Sequence, residues 1–203
     1  MGNKDLYIHF YYDIPDVKSL IINLVKTLIK DNYHLSTGID PKTKKPQNLD
    51  NVSSLVNTMI KGEVIWLENP LSMTVSVDTL NLNKELHIIS LSTYYGNFNS
   101  HKIDFNRGIK NAKDLIKLIE FIWNSVKSKA LYGIIDYETS FYSIEKLQKN
   151  ILNCGVTPDA CPRLFWINIY GIDLIRKIGE KKLLNSPAYK IKRLDNGILL
   201  MTS

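Results

Sequence analysis

Hydrophobic residues recur at helical spacing in three stretches of the chain. In residues 17–29 the apolar positions follow one another at intervals of three and one, which predicts an amphipathic helix. Asp16 stands directly before this stretch and is a residue type that caps helix N-termini. The same pattern predicts a second helix over residues 49–60, ended by Gly62, and a third over residues 109–127.

Other segments are aromatic and β-branched or alternate between apolar and polar residues, and these predict strands. They occupy residues 5–12, 71–78, 85–94, 131–137, 164–170, 189–194 and 198–201. The last two flank Asn196-Gly197, and an Asn-Gly pair between apolar runs is a strong signal for a β-hairpin. Trp166 lies in an apolar run, so we expect its side chain in the core.

The remaining segments predict shorter elements and loops. Residues 33–47 are polar and contain Gly38, Pro41 and Pro46, which predicts a loop. Residues 63–70 contain an apolar run that fits either a helix or a strand. Shorter patterns predict a strand at 102–105, helices at 138–150 and 172–178, and a loop at 154–163.

The predicted order mixes runs of strands with isolated helices and lacks a regular alternation of the two. It indicates an α+β fold in which helices cover a largely antiparallel, mixed sheet that ends in a C-terminal β-hairpin. A length of 203 residues fits a single domain over residues 1–203. No linker, repeat or low-complexity stretch marks a boundary.

The chain is basic, with 26 lysines and arginines against 20 acidic residues and a net charge of +6. A basic surface attracts nucleic acid, anionic lipid or an acidic protein. The lysines are spread along the chain, which is typical of a solvated surface. Apolar residues make up 44% and charged residues 23%, and these values exclude a disordered or coiled-coil protein.

The sequence contains no motif for nucleophilic catalysis or phosphate binding. No two of its four histidines fall within one helical turn, and the two cysteines, Cys154 and Cys161, have no histidine nearby. We therefore expect no metal and no cofactor, and reduced thiols, with a local disulfide as the alternative. His9 and His87 lie in predicted strands, where a packed or surface role is favoured over ligand binding.

Two carboxylates stand at the end of a predicted strand. Asp136 and Glu138 are separated by Tyr137, so in an extended chain they lie on one face. Such a pair can perform acid–base chemistry or hold a cation. The structural alternative is a strand end that leads into a helix with Glu138 near its N-terminus.

Aromatic and amide residues are concentrated after the predicted strand at 85–94. Exposed tyrosine provides a large contact area at low entropic cost, which is typical of protein-binding surfaces. Alternatively, these rings fill gaps under the sheet. The residues selected as candidates for partner contact are Tyr94, Tyr95, Asn97, Asn99, His101, Asp136 and Glu138.

The C-terminal third carries a characteristic pattern. It reads Arg-Leu-Phe-Trp-Ile-Asn-Ile-Tyr-Gly at 163–171, Leu-Ile-Arg-Lys-Ile-Gly at 174–179, Ser-Pro-Ala at 186–188 and a Gly-containing apolar ending at 194–201. Together with Ser-Leu-Ser-Thr-Tyr-Tyr-Gly at 90–96, it resembles bacterial polymorphic-toxin immunity proteins. The resemblance is to the immunity protein 52 family and related type VI secretion immunity proteins in particular.

The resemblance implies a non-catalytic protein that inhibits a cognate toxin by tight one-to-one binding. The sequence shows neither a signal-peptide core nor a membrane-spanning stretch, which predicts binding in the cytosol. The charge of +6 favours a toxin with an acidic contact surface over a nuclease. The alternatives are a nucleic-acid-binding accessory protein of phage or defence origin and an enzyme that uses Asp136 and Glu138.

Overall fold

The computed structural model describes residues 5–12, 16–39, 46–48, 51–68, 71, 73–81, 85–94, 98, 104–125, 130–136 and 166–202. The predicted helix at 138–150 and the predicted loop at 154–163 lie outside the described residues. In chain order the elements are β1 (Asp5–Tyr12), α1 (Val17–Lys30), β2 (His34–Ile39), β3 (Pro46–Asn48), α2 (Val52–Ile60), β4 (Ile65–Glu68), β5 (Met73–Asn81), β6 (Glu85–Tyr94), α3 (Phe105–Ser125), β7 (Ala130–Asp136), β8 (Ile167–Gly171), α4 (Ile172–Ile178), α5 (Glu180–Leu184), β9 (Lys190–Leu194) and β10 (Gly197–Met201).

One sheet joins the ten described strands in the order β3-β2-β4-β5-β6-β1-β7-β8-β10-β9. Every neighbouring pair in that order is antiparallel. β1 lies inside the sheet, between β6 and β7, and the hairpin of β9 and β10 forms one edge. The prediction of an α+β fold with an antiparallel sheet, covering helices and a C-terminal β-hairpin is confirmed.

The first two helices begin close to the predicted positions because polar side chains cap them. The Asp16 carboxylate accepts a hydrogen bond from the backbone N–H of Ser19 at 3.2 Å and starts α1. The Asn51 side chain accepts one from the N–H of Ser53 at 2.9 Å and starts α2. Gly62, which follows α2, has a φ of +76°, a backbone conformation that favours glycine.

α3 begins four residues before the predicted start at residue 109. The Asp104 carboxylate accepts a hydrogen bond from the backbone N–H of Arg107 at 3.2 Å, which caps the helix ahead of Phe105. The predicted short strand at 102–105 is therefore wrong at Phe105, and residues 102 and 103 lie outside the described residues. The apolar stripe alone misplaces this start because Asn106, Arg107 and Gly108 in the first helical turn interrupt it.

The predicted loop at 33–47 is wrong, since it contains β2 and the start of β3. β2 pairs with β4, so Leu35 lies opposite Leu67 and both side chains are buried. Pro46 begins β3 at the edge of the sheet, and an edge strand or the first residue of a strand is where proline is tolerated. The apolar run in residues 63–70 fits either a helix or a strand by sequence. In the structure it forms a strand, because β4 occupies Ile65–Glu68 and pairs with β2.

Two hydrophobic cores lie on opposite faces of the sheet. The larger core is formed by one face of the sheet and the apolar sides of α1, α2 and α3. The smaller core lies on the other face, where α4 and α5 place Leu174 and Leu183 against β7, β8 and β10. The helices cover each face of the sheet where its strands present apolar residues, and one face of an antiparallel sheet can otherwise remain polar.

The fully buried tryptophan of the larger core is Trp123 on α3, which packs near Phe10 with ring centroids 6.2 Å apart. Trp166, which the sequence predicts to be in the core, is only partly buried and packs at the margin of that core. Trp166 directly precedes β8, and its carbonyl oxygen accepts a hydrogen bond from the Thr202 N–H at 2.9 Å. The expectation of a core position for Trp166 is therefore corrected.

The two tryptophans should differ in their contribution to stability. We expect Trp123→Ala to lower the free energy of unfolding by about 4 kcal/mol, the usual cost of a large cavity in a closed core. Trp166→Ala should cost about half as much, roughly 2 kcal/mol, because part of its surface is already hydrated. Urea unfolding of both variants tests this order, and equal costs would contradict the assigned burial.

The start of β10 tolerates no side chain. A Cβ on Gly197 would lie 2.5 Å from the Tyr170 carbonyl oxygen and 3.1 Å from Cζ2 of Trp123. Because the first of these atoms is backbone of β8, relief requires the strands to move apart, and we expect Gly197→Ala to cost about 3 kcal/mol. Gly62→Ala is the control, since its Cβ meets no atom within 4 Å and only backbone strain of about 1 kcal/mol remains. Similar melting temperatures for the two variants would argue against this packing.

Candidate functional site

Alternate residues of β1 have opposite roles. Leu6, Ile8 and Phe10 point into the larger core under the helices. Tyr7 and His9 lie between them in sequence and therefore face the other side of the sheet, where both are half-buried. The central strand thus exposes a tyrosine and a histidine on the side away from α1, α2 and α3.

The antiparallel register extends this polar character over four strands. Tyr7 lies opposite Ser92, Ser92 lies opposite Thr74, and Thr74 lies opposite Trp66. In the next row, His9 lies opposite Ser90, and Ser90 lies opposite Ser76. We call this surface the polar face, and its residues are Tyr7, His9, Trp66, Thr74, Ser76, Ser90 and Ser92.

Hydrogen bonds and ring stacking hold these side chains in place. His9 Nδ1 lies 2.9 Å from the Ser90 hydroxyl oxygen, and the Thr74 and Ser92 hydroxyl oxygens are 2.7 Å apart. The rings of Tyr7 and His9 stack with their centroids 6.0 Å apart and their planes 10° apart. A face ordered in this way loses little conformational entropy when a partner binds.

Trp66 ends one row of the polar face and is 42% exposed. The other six residues of the face are half-buried. Tyrosine and tryptophan are enriched in protein interfaces because each combines a large apolar ring with a polar atom. The polar face therefore presents rings and hydroxyl groups, the composition typical of a surface that binds another protein.

The polar face ends where the smaller core begins. Further along β1 the side chain of Tyr11 is fully buried, together with Ile88 on β6 and Ile134 on β7. These residues belong to the cluster that α4 and α5 cover through Leu174 and Leu183. One side of the sheet is thus divided into a polar area around the start of β1 and an apolar area under two short helices.

Two of the residues predicted from sequence to contact a partner lie at the end of the sheet where β1 begins. Tyr94 ends β6 opposite Asp5, and Asp136 ends β7 opposite Tyr7. Because β6 and β7 both flank β1, the Cα atoms of Tyr94 and Asp136 are about 12 Å apart by standard strand spacings. The fold therefore brings the strand positions of Tyr94 and Asp136 to the same end of the sheet, on the two neighbours of β1.

The other predicted contact residues, Tyr95, Asn97, Asn99, His101 and Glu138, lie outside the described residues. Sequence reasoning missed the polar face itself and assigned His9 only a packed or surface role. A signal was present, because Ser and Thr alternate with Val and Leu at 74–77 and 90–92. That alternation marks a polar strand face, but only the register shows that the two runs are adjacent.

His9 and Ser90 have the separation of a general base and a nucleophile, yet their surroundings do not suit acyl transfer. Burial lowers the pKa of His9 to about 4, which makes its imidazole a weak base at neutral pH. β1 and β6 each pair with strands on both sides, so their backbone N–H groups donate within the sheet. In the described part of the chain, this pair therefore lacks free N–H groups to stabilise an oxyanion.

Among the residues that the structure describes, no three His, Cys, Asp or Glu side chains come together in a way that could hold a metal ion. No helix of the described segments is long and apolar enough to cross a bilayer. Family models, curated proteins and solved structures yield no match to this chain.

His9 should make folding stability depend on pH. Burial disfavours its protonated form, so the unfolded chain binds this proton more tightly than the folded protein does. Its contribution is complete above pH 6.5 and is lost as the pH falls towards 4, by at most about 3 kcal/mol.

Chemical denaturation at intervals between pH 7 and pH 4 measures this loss. In His9→Asn we expect a shallower fall in the free energy of unfolding than in the wild type. His34→Asn is the control, because His34 is exposed. A His9→Asn curve parallel to the wild-type curve would show that His9 is freely hydrated.

Proposed function

We propose that this chain is a non-catalytic immunity protein that binds a cognate toxin in the cytosol through the polar face and neutralises it. The residues at the ends of β6 and β7, Tyr94 and Asp136, would form the border of the interface. The resemblance of the chain to polymorphic-toxin immunity proteins supplies the class of partner. The polar face supplies the surface on which that partner would bind.

The observation that carries the proposal is the composition of the polar face over β1, β4, β5 and β6. It holds Tyr7, His9 and Trp66 among four hydroxyl side chains. The same strands bury apolar residues on the other side, under α1, α2 and α3. Rigid aromatic side chains surrounded by hydroxyl groups form effective contact surfaces, because rings provide area and hydroxyls adapt their hydrogen bonds.

One observation favours nucleic-acid binding as a second candidate. Lys110, Lys113 and Lys117 are exposed and follow one another at spacings of three and four along α3, so they share one ridge of the helix. Such a ridge can contact successive phosphates. It lies on the helical side of the sheet, opposite the polar face, so the two candidates can be tested separately.

The first experiment is co-purification of the tagged chain with the product of the neighbouring gene, paired with rescue of cells that express that product. We expect a stoichiometric complex, rescue by the wild type, and about 30-fold weaker binding by Trp66→Ala, the usual effect of truncating an aromatic anchor. Ile172→Ala is the matched control, because Ile172 is also 42% exposed but lies at the start of α4. Its affinity should equal that of the wild type.

Absence of both complex and rescue would refute the immunity function. Binding to duplex DNA or RNA with a steep salt dependence, removed by Lys110→Ala combined with Lys113→Ala, would establish the second candidate instead. If Trp66→Ala and Ile172→Ala bind the partner as tightly as the wild type, the toxin binds elsewhere on the chain.

A further inference from the structure

The described sheet has two edge strands, and only one of them suits further pairing. β3 is three residues long and begins with Pro46, which has no backbone N–H to donate. β9 is five residues long, reads Lys-Ile-Lys-Arg-Leu and contains no proline. Short edges and edges with proline discourage the addition of another strand. β9 is therefore the edge at which an extended chain could continue the hydrogen-bond ladder.

A hydrogen bond next to β10 shows which way the backbone groups of β9 point. Alternate residues of an antiparallel strand direct their N–H and C=O groups to opposite sides. The Thr202 N–H, directly after β10, donates to the Trp166 carbonyl oxygen on the β8 side at 2.9 Å. Leu199, three residues earlier, therefore directs its backbone groups towards β9, where it lies opposite Lys192. Lys192 thus uses its own N–H and C=O to bond to β10.

The two neighbours of Lys192 direct their backbone groups away from β10. These neighbours are Ile191 and Arg193, and their N–H and C=O groups point to the outer side of β9. The described part of the chain places no strand on that side. Two donors and two acceptors therefore lie along about 7 Å of the edge, in the pattern to which an added strand pairs.

Two ion pairs hold β9 in place, one on each face of the sheet. On one face, Lys192 Nζ lies 2.6 Å from Oε2 of Glu120 in α3. On the other face, the Arg193 guanidinium pairs with the carboxylate of Glu180, the first residue of α5. An edge strand that is fixed from both faces loses little conformational entropy when another strand pairs with it.

The surroundings of this edge are positively charged. Residues 172–195 carry seven lysines and arginines against three acidic residues, and all ten of these side chains are exposed. Lys181, Lys182 and Lys190 form no ion pair with an acidic residue that the structure describes. Lys181 and Lys182 directly follow Glu180, which contacts β9 through Arg193. The open backbone groups therefore lie beside cations that are available to a negatively charged partner.

We propose that β9 binds an extended, acidic segment of another protein, which pairs with Ile191 and Arg193 as a further strand of the sheet. Carboxylates of the added strand would lie beside the lysines of β9 and α5. A second copy of β9 fits poorly, because lysine on an edge strand repels its own kind. Phosphates of a nucleic acid would meet the charge but leave the outward N–H and C=O groups unpaired. This surface is separate from the polar face, so the inference does not rest on the proposed function.

Hydrogen exchange at single backbone amides of the full-length protein tests strand addition. The probe is a blocked octapeptide in which glutamate and valine alternate. Without the probe we expect fast exchange at the Ile191 and Arg193 amides and slow exchange at Lys192, which bonds to β10. A saturating concentration of the probe should slow exchange at the first two amides by about tenfold and leave Lys192 unchanged. Binding without this protection would overturn the proposal.

Three control probes separate the backbone ladder from charge alone. The peptide with lysine in place of glutamate should not bind. The peptide with proline in place of every second valine keeps its charge but loses ladder donors, and it should bind about tenfold more weakly. Equal binding by either peptide would refute strand addition. If a single-stranded octamer of thymidine binds this edge more tightly than the glutamate peptide, the surface is a phosphate site and the proposal fails.

Variants at position 191 test the outward N–H group itself. Ile191→Pro removes that donor without removing a hydrogen bond to β10, since edge strands accept proline where the N–H faces outwards. Ile191→Ala is the matched control, because both variants lose the side chain that packs on the smaller core. We expect Ile191→Pro to bind the glutamate peptide about fivefold more weakly than Ile191→Ala. Equal affinities of the two variants would contradict pairing at this edge.

A second pair of variants tests the charges. Lys181→Gln combined with Lys190→Gln should weaken binding of the glutamate peptide about fivefold at low salt, because two favourable charge pairs are lost. Lys26→Gln combined with Lys30→Gln removes two exposed lysines of α1 and should leave the affinity unchanged. Equal weakening by both double variants would indicate unspecific attraction and refute the proposal.

The polar face and the β9 edge can fail independently. Trp66→Ala should bind the glutamate peptide as the wild type does, because Trp66 lies in β4, far from β9 in the strand order. Absence of a toxin partner would refute the proposed function and leave the β9 result unaffected. Conversely, rescue of toxin-expressing cells without protection of the Ile191 and Arg193 amides would support the proposed function and refute strand addition.

Discussion

The pairing of β1 with two antiparallel neighbours is the constraint on which the rest of the structure depends. β1 hydrogen-bonds to β6 on one side and to β7 on the other, so it joins the two halves of the ten-stranded sheet. Its register sends Ile8 and Phe10 into the core beneath α1 and α3 and leaves Tyr7 and His9 on the opposite side. A shift of one residue would exchange these two sets and bury the polar one.

Close packing around Phe10 shows how strictly this register is held. Gly133 lies opposite Phe10 in β7, and a Cβ at that position would come within 2.9 Å of the Phe10 ring. Phe10 in turn packs near the fully buried Trp123 of α3. The ring therefore fills the space that Gly133 leaves open, and the helix packs on that ring, so the sheet register and the helix position are coupled.

The candidate site also depends on β1, because it is built around the side chains on the opposite face of that strand. The sequence identifies Tyr94 and Asp136 as candidates by residue type, and the sheet places them on the two neighbours of β1 at the same end. The sequence does not identify the polar face. Ser, Thr and His are common in strands, and they indicate a shared surface only when their cross-strand neighbours are known. His9 and its partner Ser90 are 81 residues apart in the chain. A surface built from such distant residues has no local pattern that would reveal it.

The sequence by itself determined the elements whose signals lie within a few residues of one another. The amphipathic stripe and Asp16 cap define α1, and Asn196-Gly197 between apolar runs defines the terminal hairpin. Only the tertiary structure decided β2 and β3, the partial exposure of Trp166 and the assembly of the polar face from four strands. The physical reason is that helix and turn energetics are local, whereas a strand acquires its partners, its burial and its electrostatic surroundings from segments far away in the chain.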